Sequence, residues 1–552
     1  MSAVTATPAA VGIGAWLNVN IGLWRLASLV VAAVVAAPLL VLAMSWLTPD
    51  AEVWRHLSDT LLLELVRNTL VLLVSVGSGV LILGVGLAWL TAMCDFPGRN
   101  FFDWALMLPL AVPAYVLAFV AVGVLDFSGP VQSVLRQWFG TSSWFPPIRS
   151  EGGVIAVMVL AFYPYVYMLA RSAFLNQGHH MLETARVLGL NAWSAFFRVT
   201  VPVARPAIAA GVALALMETL ADFGAVSVFN YDTFTTAIYK AWFGFFSLSA
   251  AAQLAMLLLL FIATAVYAEQ RLRGNSRYHV NLNTGKVLRY RLKGVRALAA
   301  VCAASVVLLL AFVLPVSQLV LWAWGIMGEE LDARYLGFLG NTLFLGAFAA
   351  VLTTVAALLL SYTQRLKPDP LTQAAVRIST LGYALPGSVL AVGVMLSFVW
   401  VDQQINSVVQ WLTGEAWGAV LTSSVFALLL AYVVRFMAVA YGPVDSAFDR
   451  IKPSILQVAR CLGAGNMEIL RRLSIPMLRT GLLSALLLVF VEVMKEMPAT
   501  LLLRPFGWTT LATRIFEMTS EGEWERAALP AVTLVLAGLL PVALIVRRSA
   551  SR

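Results

Sequence analysis

From Leu23 onward the chain alternates long, almost wholly apolar runs with short polar ones. A helix needs about 20 mostly apolar residues to cross the ~30 Å hydrocarbon layer of a bilayer. Runs of that kind lie near 24–47, 66–92, 104–126, 153–175, 203–229, 248–268, 297–324, 340–363, 378–401, 418–440, 477–502 and 528–546. The pattern predicts an all-α integral membrane protein with about 12 transmembrane helices. The first run is too long for the apolar region of a secretory signal and lacks a small-x-small cleavage site, so it is expected to stay as the first helix.

Composition sharpens this picture. Of 552 residues, 61% are hydrophobic and 12% charged, a balance that would leave large apolar surfaces exposed in a water-soluble domain. The net charge of +9 could point to nucleic acid, but its distribution has a simpler cause. Arg271, Arg273, Arg277, Lys286, Arg289, Arg291, Lys293 and Arg296 crowd one stretch without an acid among them. Short loops rich in Lys and Arg remain in the cytosol. The tail with Arg547, Arg548 and Arg552 is also basic, while the loops around Asp50 to Asp59, Glu329 to Asp332 and Asp402 to Glu415 are relatively acidic. Both termini and the central linker are therefore expected inside, with six spans on each side of the linker. Cys94, Cys302 and Cys461 make no disulfide framework.

The second half repeats the first. At an offset of 274 residues Leu182 meets Leu456, Ala185 meets Ala459, Arg186 meets Arg460, Gly189 meets Gly463, Arg198 meets Arg472 and Pro202 meets Pro476. With a one-residue slip, Asn68-Thr69-Leu70 overlies Asn341-Thr342-Leu343, and Pro113 with Val116-Leu117-Ala118 overlies Pro386 with Val389-Leu390-Ala391. This is a tandem duplication: a six-span half over 1–270, a basic cytosolic linker over 271–296 and a second six-span half over 297–552. An even span count puts both copies in the same orientation, and a pathway between the halves is the natural place for transport.

The repeated polar segments, ETARVLGLNAWSAFFRVTVP at 183–202 and QVARCLGAGNMEILRRLSIP at 457–476, fall between the fourth and fifth spans of each half. In a helix, Ala185 and Gly189 share a face, as do Ala459 and Gly463, and small residues there let another surface approach closely. Pro202 and Pro476 are expected in the first turn of the next span, where a missing backbone donor costs little. The two segments resemble the EAA loop of permease subunits of type I ABC importers: Glu-Ala-Ala, three residues, Gly, nine residues, then Ile-x-Leu-Pro. Here the first copy has Glu183-Thr184-Ala185, Gly189 and Val199-Thr200-Val201-Pro202; the second has Gln457-Val458-Ala459, Gly463 and Leu473-Ser474-Ile475-Pro476. The departures are Thr184 and Val458 for the middle Ala and Gln457 for Glu.

The resemblance implies that each loop is a short coupling helix seated on an ABC ATPase subunit, two copies in all. The fused layout, with VEVMKEMPATLLLRPFGWTTLATRIFE at 491–517, looks like the ferric-iron branch, whose permeases work with a periplasmic ferric-binding protein in the bacterial inner membrane. Thiamine, polyamine or phosphonate are alternatives within the same mechanism. The chain has no Gly-x-x-x-x-Gly-Lys-Ser/Thr, so ATP hydrolysis is expected from a separate polypeptide. The chain itself is read as a transport subunit without a cofactor.

Ionisable residues inside spans are costly and point to function. Glu218 and Asp222 match Glu492 and Glu496 at the same offset, each pair on one helical face. Glu218 follows Pro202 by 16 residues, about 24 Å of helix, which predicts a position near the outer mouth. Gly224 and Pro498 are expected to loosen or end both helices there. Four carboxylates on the substrate path would suit a hard cation, ferric iron included. Equally, the acids could anchor helix ends or pair internally, with Lys495 beside Glu492 and Glu496.

Arg504 and Arg514 could hold an accompanying anion, meet a binding protein or stand as solvated loop charges. His179-His180 lacks the accompanying Cys or carboxylates that a metal site needs. Tyr163, Pro164, Tyr165, Tyr167 and Tyr432 could line the path, though tyrosines in bundles more often pack with one satisfied hydroxyl. A secondary transporter would also show repeats and intramembrane acids but has no need of paired docking loops. A membrane enzyme would need a catalytic cluster, and neither a Ser/His/Asp set nor a Cys/His or di-metal arrangement occurs in the sequence.

Overall fold

The computed structural model describes residues 9–47, 51–176, 189, 191–273, 289–415, 417–422 and 424–550. Twelve helical stretches in it are long and apolar enough to cross a membrane: Gly22–Leu47, Leu62–Met93, Ala114–Phe139, Glu151–Leu175, Phe196–Ala221, Leu248–Ala265, Val295–Glu330, Ala333–Leu366, Gly387–Thr413, Val425–Phe448, Asn466–Met494 and Trp524–Ala543. The protein is all-helical, as the apolar runs predicted. Among the described residues strand pairing is confined to a two-residue parallel bridge, Cys94–Asp95 with Tyr290–Arg291. Leu292 extends it by donating its N–H to the Asp95 carbonyl at 3.0 Å, which fastens the last part of the basic linker to the end of the second span.

Local chemistry moves several span boundaries. The run expected at 104–126 is instead a short helix Arg99–Ala105, a 3₁₀ turn Leu108–Ala111 and a helix Ala114–Leu125. Pro109 and Pro113 cannot donate to the helical ladder: Pro109 falls in the first turn of the 3₁₀ segment, and Pro113 stands just before the helix that starts at Ala114. The second half does the same: a 3₁₀ turn Leu381–Ala384 precedes Pro386, and the helix resumes at Gly387. Pro113 and Pro386 have the same backbone angles, φ −58° and ψ 143°, so the sequence match between them is also a match of geometry.

The fifth and eleventh spans also begin and end alike. A π-helical turn, Phe196–Thr200 or Ile469–Ser474, leads directly into the α-helix, with Pro202 and Pro476 in its first turn as predicted. The helices then stop at Ala221 and Met494, short of the ends expected at 229 and 502.

The chain folds as two compact units that are a different division from the sequence halves. One contains Met1–Leu47 with Gly340–Thr509, the other Thr48–Leu339 with Thr510–Arg552. Within the former, the helix Ala9–Met44 packs on Pro370–Thr380 and Gly387–Thr413. Polar ties hold it near its middle: Arg25 lies 3.1 Å from Asp369, and Thr363 donates to the Trp24 carbonyl at 3.3 Å. Within the latter, Leu314–Glu330 packs along Trp524–Ala550, and Leu62–Met93 along Glu151–Asn176.

Candidate functional site

Glu183 and Ala185, with His179 and His180, lie outside the described residues. Of the first segment Gly189 is exposed with φ +80°, and Pro202 is exposed at the start of its helix. The second segment is described throughout. Its first five residues close a nine-residue helix, Pro453–Cys461, with none of its residues buried. Gln457 is exposed and Ala459 half-buried.

Gly463 does not share a helical face with Ala459. It lies past the helix end at φ +82°, donating its N–H to Arg460 at 3.0 Å, while Ala464 donates to the Ala459 carbonyl at 3.1 Å. This is a Schellman-type end, which places a glycine in the left-handed region because a Cβ is disfavoured there. The same sign of φ at Gly189 gives that glycine the same need. What the segment presents instead is an apolar ridge: Val458, Leu462 and Met467 are 58, 82 and 53% exposed. Arg460, Arg471 and Arg472 of the same segment are also exposed.

The four membrane acids divide by what they touch. Asp222 turns its carboxylate to the next short helix, Gly224–Val228, where Oδ1 accepts N–H bonds from Ala225 at 2.9 Å and Val226 at 3.2 Å. Glu496 does the same at Pro498–Leu503: Oε1 accepts from Ala499 N–H at 3.0 Å, and Oε2 from the Thr500 N–H at 3.0 Å and hydroxyl at 2.7 Å. A helix start leaves backbone donors unsatisfied, and a carboxylate there meets both the donors and the positive end of the helix dipole. Glu496 is buried and also pairs with Arg435, Nη1 to Oε1 at 3.4 Å. At Gly387 a Cβ would land on that guanidinium and carboxylate, so the glycine makes room for the pair.

Glu492 pairs with Lys495 at 2.8 Å, and Glu218 is half-buried. Arg435 stands near the middle of the helix Val425–Phe448, so the Glu496 carboxylate meets the tenth span near its mid-length. Gly481 meets Pro443 and Ala447, so the 15 residues from Gly481 to Glu496 pass only the 8 to 12 that separate Arg435 from Pro443 and Ala447.

Sequence reasoning missed the polar ties that hold each break. Thr233 and Thr236 form a capping box before the helix Phe234–Tyr239, and Thr510 and Thr513 form one before Leu511–Ser520. Asn68 donates to the Asp232 carbonyl at 2.9 Å, and Asn341 donates to the carbonyls of Gly507 at 3.2 Å and Thr509 at 3.1 Å. The matched Asn-Thr-Leu triplets thus tie the loop after each break to the second or eighth span. The Thr-x-x-Thr spacing was the available signal.

Tyr163 and Tyr167 donate to the carbonyls of Leu106 and Asp103, both at 2.9 Å, and the Tyr432 hydroxyl lies 2.6 Å from that of Thr500. These phenols are committed to packing partners. Arg504 donates to the Thr509 hydroxyl at 3.1 Å, while Arg514 lies 3.8 Å from Glu330 and over the Phe338 ring. Among the described residues no three His, Cys, Asp or Glu side chains gather as a metal site.

Two copies of one span pattern, each with a helix broken at an acid and each with a polar segment ahead of it, define a duplicated membrane permease. The chain belongs to the family described as binding-protein-dependent transport system inner membrane component, which matches it over residues 81–274 and 343–552. It is therefore a multi-pass inner-membrane permease subunit of an ABC transport system. Among its relatives is the Fe(3+)-transport system permease protein FbpB 2 of Haemophilus influenzae, 29% identical over 87% of this chain and 89% of that protein. The ferric transport system permease protein FbpB of Actinobacillus pleuropneumoniae is 24% identical over 86% of this chain and 69% of its own. The molybdenum transport system permease protein ModB of Escherichia coli K12 is 33% identical over 26% of this chain and 62% of its own.

Proposed function

We propose that the protein imports ferric iron delivered by a periplasmic ferric-binding protein, driven by two copies of a separate ABC ATPase. The observation that carries the substrate is coverage: relatives named for ferric transport align with both halves, whereas the molybdenum permease aligns with about a quarter of the chain. The termini and the basic linker face the cytosol, in keeping with the run of Lys and Arg between the halves. The two segments dock the ATPases through Glu183, Ala185, Gly189 and Pro202 in one copy and Gln457, Ala459, Gly463 and Pro476 in the other. In the second copy the exposed Val458 and Leu462 support this reading, because exposed apolar side chains on a polar segment suit a protein cleft.

On the substrate path Asp222 and Glu496 shape the breaks, and Glu218 and Glu492, one turn earlier, offer the carboxylates that a hard cation prefers. The decisive experiment is ATPase activity in proteoliposomes holding this chain and its co-purified ATPase subunit, with a ferric-loaded or a molybdate-loaded binding protein. Stimulation by the ferric form, lost in Leu462→Glu, supports both substrate and docking. Stimulation by the molybdate form alone replaces the substrate and keeps the mechanism, and transport without an ATPase subunit overturns the reading.

A further inference from the structure

The ends of the fourth and tenth spans carry the same buried phenylalanine and opposite charges. Ser172-Ala173-Phe174 and Ser446-Ala447-Phe448 lie 274 residues apart, the register of the docking segments, and the residue just before them is Arg171 in one copy and Asp445 in the other. Phe174 packs edge-on to Trp89 at 6.1 Å, and Phe448 stacks on Tyr362 at 6.3 Å.

Each charge is clamped within its own compact unit. Arg171 grips Asp103 with two donors, Nε at 2.6 Å and Nη2 at 2.5 Å. Asp445 accepts from Arg365 at 2.9 Å and from the Ser361 hydroxyl at 2.9 Å, and the same guanidinium reaches Asp449 at 2.8 Å. The sign is inverted and the partner comes from a different element: the short helix Arg99–Ala105 in one half, the eighth span in the other. The outcome is nevertheless shared, since the last turns before each docking segment are fixed to a neighbouring helix. The Arg171 and Asp103 side chains are only 12 and 25% exposed, and a two-pronged guanidinium–carboxylate pair sheltered in this way holds geometry better than an exposed pair does.

We propose that Arg171 and Asp445 are positioning residues for energy coupling. Each locks the span that enters a docking segment to its own bundle, so that displacement of the segment by an ATPase moves the bundle and does not merely bend the last turn. The inference rests on the docking reading above. It is tested in the full complex with Arg171→Ala, Asp445→Ala and the exchanged pair Arg171→Asp with Asp103→Arg.

In the two alanine variants the ATPase subunit is expected to co-purify at the wild-type ratio with unchanged basal hydrolysis. Stimulation by loaded binding protein and substrate moved per ATP should fall about fivefold or more, a coupling loss. The exchanged pair is expected to recover most of the loss. Full stimulation in both alanine variants overturns the inference, as does an exchanged pair that recovers nothing. Loss of the ATPase subunit from the alanine variants also overturns it, because the two residues would then act on docking and not on coupling, whereas failure of the docking reading itself is read separately from Leu462→Glu.

Discussion

Single residues carry the helix breaks. Glu496 serves three donors from Ala499 and Thr500 and one guanidinium, so its loss strands all of them in a buried site. Glu496→Ala is expected to destabilise the protein by about 3–5 kcal/mol, the cost of breaking a buried pair from one side. Thermal melting of the purified protein in detergent measures this, and Glu496→Leu with Arg435→Met should recover part of the loss because no unpaired charge remains. At Gly463 the reason for glycine is conformational: open space surrounds it, but φ is +82°. Gly463→Ala therefore costs about 1–2 kcal/mol in the left-handed region, and Gly463→Asn costs less. Titrating ATPase-subunit binding should find a several-fold loss for Ala and a smaller one for Asn; equal losses would show that the space, not the angle, matters.

Elements show where sequence pattern stops being sufficient. Apolar run length located every span, yet it carried the fifth and eleventh too far, because the signals that end them are polar. Asp222 and the Lys495-Glu496 pair interrupt the apolar runs only briefly, and only the backbone donors that Asp222 and Glu496 meet reveal them as helix starts. The helix Pro453–Cys461, where ATPase docking is proposed, offers a direct probe at this scale. Cys461 on it is exposed, whereas Cys94 at the end of the second span is buried, its thiol pushed up to about 11 by loss of solvent. The thiolate is the reactive form, and at pH 7.5 fewer than about one Cys94 thiol in a thousand is ionised. In a Cys302→Ser background, a soluble maleimide at that pH is expected to label Cys461 and spare Cys94, with reactivity of Cys94 rising as pH approaches 11. Bound ATPase subunit should then protect Cys461, and labelling unchanged by the subunit would argue against docking at this helix.

For the whole molecule, the compact units are woven from both halves of the chain: the first span belongs with residues 340–509, and the seventh and twelfth spans with residues 48–339. A chain cut within the linker should therefore give halves that are degraded when made singly and stable when made together, recovered as a pair on an affinity tag. A first half that accumulates alone and folded would contradict this. The sequence by itself determined the span count, the duplication and the positions of the paired prolines and glycines. Each of these follows from local physics: the length needed to cross a bilayer, a repeated register, a missing backbone donor. Only the tertiary structure decided which helices share a unit, that Glu496 faces Arg435 at mid-span, and that position 171 or 445 is clamped in both copies despite opposite sign. Those outcomes depend on which side chains meet across long sequence separations, and apolar runs that are alike in composition leave such meetings open until the helices pack.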